Sequence, residues 1–315
     1  MLRFLAQGLK FLTAVVALYL AAFLALVHGH PFGRSAIYRT NDYYHLKGGN
    51  AWAQHHEWAK GESYDLAVIG SSHAYRGYDP RVFGERGHRL FNLGSSAQTP
   101  LSTYAILDGL VTKDRAPLLI IDVYENAFTH DGIESVSELT RDVADDRTAF
   151  NLATAFRDLR GLNMFTLRML DKGSPPSFTD PTYVGNGAAI KRDSAKAEVK
   201  YAAHGELRIN TRQLGRFVDC LDLCDTRGIR VVLCSHPYPA QTDRAQHAAF
   251  TAVVDSVLAT RPADTRPRRF DLVDAPGFNA HDHFFDHTHL NEAGARLFSG
   301  LLIDSLEANG MLPDR

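Results

Sequence analysis

The chain has 315 residues, enough to bury a sizeable core in one large domain or two small ones. Apolar residues make up 45% and charged residues 22%, an ordinary globular balance, and a formal net charge of −2 lacks the basic surplus that accompanies nucleic-acid binding. The three cysteines, Cys220, Cys224 and Cys234, are odd in number and include no CxxC pair, which argues against a disulfide framework and a cysteine zinc site and leaves them as small buried apolar side chains.

Residues 11–27 carry no charge. With Leu9 and its neighbours they reach the ~20 residues that a bilayer span requires, and no face of the segment is polar. Arg3 and Lys10 precede it, which sets the N-terminus in the cytoplasm. His28-Gly29-His30-Pro31 is a poor small-x-small cleavage site. Residues 1–30 are therefore expected to form an uncleaved single-pass anchor, with the remainder on the extracytoplasmic side. Residues 31–63, rich in Tyr, His, Gly and Asn, read as a connector with one short helix near Ala51 to Ala59.

From residue 64 onward, short apolar runs alternate with helical periodicity. Strands are expected at Asp65 to Ile69, Arg89 to Leu93, Pro117 to Val123, Ile229 to Cys234 and, more weakly, Phe270 to Val273. Helices are expected at about Pro80 to Glu85, Leu101 to Val111, Asn210 to Arg227 with Gly228 as its stop, and Gln246 to Thr260. A last helix is capped by Asn291 and runs to about Ala308. No hairpin signal joins adjacent strands, so the alternation predicts a parallel sheet covered by helices on both faces. Between about 129 and 205 the pattern changes. Residues 146–171 have helical period, whereas 172–205 carry Pro, Gly, Ser and charges with little periodicity. This stretch reads as an insertion over one end of the sheet, within a domain spanning 64–315.

Ligands of an open parallel sheet bind beyond the carboxyl ends of its strands, and the chemistry-bearing residues fall there. Ser72 follows the first strand, Gly94 the second, Asn126 the third, His236 the fourth, and Asp286 and His289 the fifth. Asp286, three residues before His289, can fix the imidazole tautomer and leave the other nitrogen free to take a proton from the Ser72 hydroxyl. The backbone N–H groups of Ser72 and Gly94 and the Asn126 amide are candidates to receive the oxyanion, each donor being worth ~2.7–4 kcal/mol in comparable sites. Bland readings stand beside these. Ser71 and Ser72 can cap a helix, Gly94 can serve a turn, and either Asn126 or Glu125 can satisfy its own loop. His236, before a proline, can be structural. His73 and Arg76 can contact substrate or pack against the second strand. His281, Asp282, His283, Asp286, His287 and His289 also have the composition of a metal cluster.

Gly70-Ser71-Ser72-His73, Phe91-Asn92-Leu93-Gly94 and Asp286-His287-Thr288-His289-Leu290-Asn291 with Gly294 resemble the first, second and last sequence blocks of the SGNH (GDSL-type) hydrolase superfamily. The resemblance covers roughly residues 64–130 and 210–308. It implies an α/β flavodoxin-like three-layer sandwich with a five-stranded parallel sheet. It also implies Ser72 as nucleophile, Gly94 as an oxyanion donor, Asp286 as orienter and His289 as base, with no cofactor. Ser71 stands where the family usually has Asp, and Asp122-Val123-Tyr124-Glu125-Asn126 stands where it usually has Gly-x-Asn-Asp. A serine before the nucleophile and an N-terminal anchor are similar to DltD-like envelope proteins and to anchored members that serve polysaccharide O-acetylation beside a membrane-bound O-acyltransferase. The expected function is a membrane-anchored serine esterase or O-acyltransferase acting on acyl esters of an envelope polysaccharide. The alternatives are an inactive binding partner on the same fold and a metal-dependent hydrolase using the C-terminal histidines.

Overall fold

The structure, a computed structural model, describes residues 1–30, 35–194 and 205–312. The chain divides into two compact units, 1–46 and 47–315. The first contains helix α1 (Leu2–His28) and a single 3-10 turn at Ala36–Arg39. At 27 residues, α1 is about 40 Å long and apolar enough to cross a membrane, which supports a single-pass anchor.

The second unit begins with α2 (Gly49–Trp58). Strand β1 (Leu66–Ile69) follows and leads through Gly70 and Ser71 into α3 (Ser72–Gly77) and α4 (Pro80–Glu85). Then come β2 (Leu90–Asn92), α5 (Pro100–Leu110) and β3 (Leu118–Asp122). Helices α6 (Ile133–Asp142), α7 (Asp146–Ala155) and α8 (Leu159–Leu170) come next, followed by a hairpin of β4 (Tyr183–Gly185) and β5 (Ala188–Ala189). The chain returns to the main sheet through α9 (Thr211–Arg227), β6 (Arg230–Ser235), α10 (Ala245–Ala259) and β7 (Arg268–Asp271), and ends in α11 (Glu292–Ala308).

The five main strands are ordered β2-β1-β3-β6-β7, and every neighbouring pair is parallel. With the hairpin set aside this is the doubly wound order of flavodoxin-like sheets, as the α/β reading anticipates. Period-2 alternation divides the strand residues between two cores. Ala67, Ile69, Leu119, Ile121 and Leu233 face α2, α5, α9 and α10, packing with Trp58, Ile106, Phe217 and Phe250. Leu66, Val68, Leu118, Ile120 and Val232 face α3, α4 and α11, packing with Phe83, Phe298 and Leu302. Cys220 and Cys224 join the first core and Cys234 the second; all three thiols are free and buried.

The stretch expected to be irregular after residue 172 contains the β4–β5 hairpin. Gly185, Asn186 and Gly187 all have positive φ, a turn conformation glycine and asparagine tolerate best. The Asn186 carbonyl accepts the N–H of Asn92 at 2.9 Å, so the hairpin covers part of the open edge of β2. Gln54 donates to the carbonyls of Asn92, Gly94 and Gly187 and ties α2 to both.

The start of α11 holds the last loop in place. Asn291 accepts the N–H of Gly294 at 3.0 Å and donates to the Asp282 carbonyl at 2.9 Å. A Cβ on residue 294 would lie 2.1 Å from the His283 carbonyl oxygen, a backbone atom that cannot swing aside. Gly294→Ala is therefore expected to cost ~1–3 kcal/mol in urea unfolding, as overpacking does elsewhere. An unchanged midpoint would show that the loop yields freely.

Candidate active site

The carboxyl ends of the strands meet at a cleft of ≈ 400 Å³. Ser72 reaches it because Gly70 lets β1 turn sharply: a Cβ there would lie 2.7 Å from Asp122 Cβ. Ser71 caps α3 by accepting the His73 N–H at 3.4 Å, which places Ser72 at the first position of the helix with its own N–H outside the helical ladder.

The loop before α11 supplies the facing groups. His289 Nε2 lies 2.7 Å from Ser72 Oγ across 217 positions of sequence. On its other side, His289 Nδ1 lies 2.8 Å from Asp286 Oδ2 and 3.1 Å from Oδ1. A carboxylate only accepts, so Nδ1 carries the proton and Nε2 accepts from the serine hydroxyl. Asp286 Oδ1 also accepts the backbone N–H groups of Thr288 at 2.9 Å and His289 at 2.8 Å. Ser72, His289 and Asp286, three residues singled out from sequence, are thus one continuous hydrogen-bonded series.

The electrostatics follow from burial and charge. Burial works to raise the Asp286 carboxyl, but the hydrogen bond and charge of His289 and two backbone donors outweigh it and hold the group down at about 2. Burial pushes His289 below 6.5. Asp286 offsets part of this, while the charges of Arg76 and His236 add to it.

The remaining candidates divide. Gly94 does not line the cleft, and its N–H donates to Asn92 Oδ1 at 3.0 Å. This corrects its expected role as an oxyanion donor. Glycine is needed there because a Cβ would lie 2.7 Å from Ala74 Cβ and 3.0 Å from Tyr75 N, so β2 approaches α3 closely. Ala97, which sequence reasoning missed, lines the cleft instead. Its φ of +45° is rare for a residue with a Cβ. Among the described residues its N–H has no partner. Asn126 also lines the cleft, and its Oδ1 accepts from the Thr129 hydroxyl at 3.0 Å. Arg76 lines the cleft as well.

His73 lines the cleft, and His236 lies behind it. His236 is 1% exposed and does not reach the cleft, which corrects its expectation as a substrate contact. His73 is 2% exposed, and its Nε2 lies 2.7 Å from the Thr288 hydroxyl. The two rings stack with centroids 3.8 Å apart, and His73 in turn stacks on His289 at 4.8 Å. Burial drives the His73 pKa well below 6.5, so this prop under the base is neutral.

Two groupings of metal-ligand type lie near the cleft. The C-terminal histidines do not converge: His281 Nδ1 pairs with Asp282, His283 Nδ1 accepts the Asn279 N–H, and His289 belongs to the serine. That overturns their reading as one ligand set. His73, Asp122 and His236 do lie together, with one ligand atom from each within 4.8 Å of the others. Their imidazoles are face to face at 22°, whereas ligands of one ion converge edge-on; Asp122 Oδ2 accepts the Tyr78 hydroxyl at 2.8 Å, while Asp122 Oδ1 and both His236 nitrogens have no partner among the described residues.

No family model and no curated protein matches the chain. Solved structures similar to it include a Bacteroides fragilis protein described as an acylhydrolase, at 14% identity over 81% of this chain and 94% of that one, with a TM-score of 0.44. A catalytic mutant of an acetylxylan esterase from Geobacillus stearothermophilus shares 11% identity over 78% of this chain and 95% of that one, with a TM-score of 0.41. A GDSL-like lipase from Bacteroides thetaiotaomicron shares 12% over 78% and 88%, with a TM-score of 0.40. These likenesses are distant, and the chemistry of the site is read from this chain's own side chains.

A base held below 6.5 stays neutral, and so competent, into mildly acidic solution. As pH falls, activity that depends on His289 is expected to persist past 6.5 and to be lost only when the depressed imidazole protonates. The acid limb of a kcat/KM profile checks this; a limb above 6.5 contradicts it.

Proposed function

We propose that this chain is a serine esterase or O-acyltransferase of the cell envelope, anchored by α1 and acting on acyl esters of an exported polysaccharide. The observation that carries the reading is the 2.7 Å contact between Ser72 Oγ and His289 Nε2, with Asp286 behind it and an open cleft in front. Arg3 and Lys10, in the N-terminal third of α1 and ahead of its uncharged stretch, favour a cytoplasmic N-terminus and an extracytoplasmic catalytic domain. A membrane-embedded O-acyltransferase is the partner that would suit an anchored enzyme of this kind.

In this mechanism Ser72 Oγ attacks the ester carbonyl carbon as its proton passes to His289 Nε2. The carbonyl oxygen becomes an oxyanion received by the N–H groups of Ser72 and Ala97 and by the Asn126 amide. Asp286 stabilises the imidazolium through Nδ1–H. The tetrahedral intermediate collapses, the carbon–oxygen bond to the alcohol breaks, and His289 returns its proton to the departing alkoxide. The acyl group now rests on Ser72. Water or a sugar hydroxyl then gives its proton to His289 while attacking that ester, and release of the acid or the new ester restores the free serine. Hydrolysis and transfer share every residue and differ only in which hydroxyl reaches the acyl-serine.

A fluorophosphonate probe is expected to label the detergent-solubilised protein at one serine, and Ser72→Ala to abolish the label. Labelling that survives Ser72→Ala removes Ser72 from this role. His289→Ala is expected to reduce turnover of a simple acetate ester ~10³-fold or more. Wild-type function with His289→Ala would instead favour a binding role for the fold.

Ala97 gives a separate check on the oxyanion site. Glycine holds positive φ freely, while a β-branched residue resists it. Ala97→Val is expected to lower kcat/KM by ~10²-fold, the scale of one lost oxyanion donor, while Ala97→Gly retains most activity. Equal effects of the two would place the donor elsewhere.

A further inference from the structure

The acyl-transfer cycle leaves Arg76 unused. Arg76 lies four residues after Ser72 on α3, so the two side chains leave the same helix face with Cβ atoms ~6 Å apart. Its guanidinium sits against the rings of Tyr75, at 4.8 Å, and Phe285, at 5.2 Å. Both arginine and Phe285 line the cleft that holds Ser72 and His289. Two aromatic neighbours position the planar group while its N–H edge stays available.

That edge is incompletely used. Arg76 Nη1 is buried and has no hydrogen-bond partner. Among the described residues no carboxylate pairs with the guanidinium; its polar neighbour is the neutral Tyr75 hydroxyl. Several other partly buried arginines are satisfied: Arg141 pairs with Asp171, Arg168 with Asp146, and Arg261 with Asp222 and Asp225, while Arg115 and Arg212 donate to backbone carbonyls. A buried guanidinium N–H without an acceptor is costly, and here it stands beside the reacting atoms. Two carboxylates also line the cleft: Asp286, whose oxygens are taken by His289 and the Thr288 backbone, and Glu134, which is exposed, where solvent and salt weaken its field.

We propose that Arg76 reads an anion on the substrate: the preferred ester bears a carboxylate near the reacting carbonyl, received by the guanidinium edge while Ser72 attacks. The inference rests on the serine-hydrolase reading above and narrows it from polysaccharide esters in general to acyl esters of acidic polymers such as polyuronates. The carboxylate need not be part of the chemistry. It orients the ester along α3 so that the carbonyl carbon faces Ser72 Oγ.

The full-length protein in detergent tests this with meta-acetoxybenzoate, its uncharged methyl ester and meta-acetoxyphenyl phosphate, and then with acetylated polyuronate against acetylated xylan. The wild-type protein is expected to favour the carboxylate esters. Arg76→Gln is expected to shrink the charged-to-neutral ratio of kcat/KM by ~10- to 100-fold, and Arg76→Lys to recover part of it, since lysine keeps the charge and loses the fork. A ratio that is the same in wild type and Arg76→Gln overturns the proposal, as does a wild type that ignores the carboxylate. Preference for the phosphate over the carboxylate, lost with Arg76→Gln, overturns the carboxylate assignment. Fluorophosphonate labelling of Ser72, measured alongside, separates the failures. Intact labelling with no charge preference sinks this inference alone, while absent labelling and turnover sink the serine-hydrolase reading and this inference with it.

Discussion

Asp286 accepts three hydrogen bonds from its own four-residue turn, two from the backbone of Thr288 and His289 and one from the His289 imidazole. The backbone bonds fix where the ring starts, and the ring bond fixes which nitrogen carries the proton. None of these can be lost without disturbing the others, so the tautomer, orientation and position of the base are set by one carboxylate. The turn is held at both sides. Phe285 N–H donates to the His289 carbonyl at 3.0 Å, and Asn291 N–H to the His283 carbonyl at 3.0 Å. Because α11 is packed by Phe298, Leu302 and Ile303 into the core beneath α3, the same hydrophobic contact that folds the domain brings residue 289 to residue 72.

Around that turn the rings form a column. Phe285 stacks on His289 at 5.3 Å, His289 on His73, and His73 on His236. Burial holds His73 and His289 below the usual imidazole range, so these two rings stack without charge. Among the described residues His236 has no hydrogen-bond partner on either nitrogen, although Asp122 Oδ2 lies 3.7 Å from its Nδ1. Such a buried polar group costs ~1–3 kcal/mol, and the expense is located directly under the base. Its compensation is positional. The column fixes the plane of His289, and the charge of Arg76 works in the same direction by disfavouring the protonated ring.

Much of this architecture was legible in the sequence because local rules and global packing agree at those positions. Asn210 and Gly228 mark the ends of α9 in the structure as they do in the sequence, through a side-chain cap and a left-handed C-terminal residue. The Ser72, Asp286 and His289 contacts were legible because motif residues at strand ends have a single edge of the sheet to occupy. The misreadings have equally local causes. Gly94 looked like an oxyanion donor because glycine permits close approach, but its close neighbour is α3 and not a ligand. Helix α6 was missed although Ile133, Val136 and Leu139 recur at helical spacing and are buried; the equally buried Ser135, Ser137, Thr140 and Asp142 between them blur the contrast between its apolar and polar faces. The hairpin was hidden because β4 and β5 are too short to show alternation, although Gly185-Asn186-Gly187 was a turn signal in plain view.

Those two missed elements bear directly on the site. The turn that carries Ala97 is clamped from several directions. Glu138 of α6 accepts the Ser96 N–H at 2.8 Å, Ser95 donates to Gln98 at 2.8 Å, and Gln98 donates to Thr103 of α5 at 3.0 Å. Gly132, at the start of α6, leaves no room for a Cβ against Thr99, where the distance would be 2.6 Å. A left-handed alanine persists only where its surroundings over-determine it, and this turn meets that condition. Glycine at 97 would reach the same φ without strain but would also leave it as readily. Alanine, confined by α6, presents its N–H in one direction. The segment between β3 and β6 therefore helps to hold the loop after β2, with Glu138 and Gly132 acting beside the bonds among Ser95, Gln98 and Thr103.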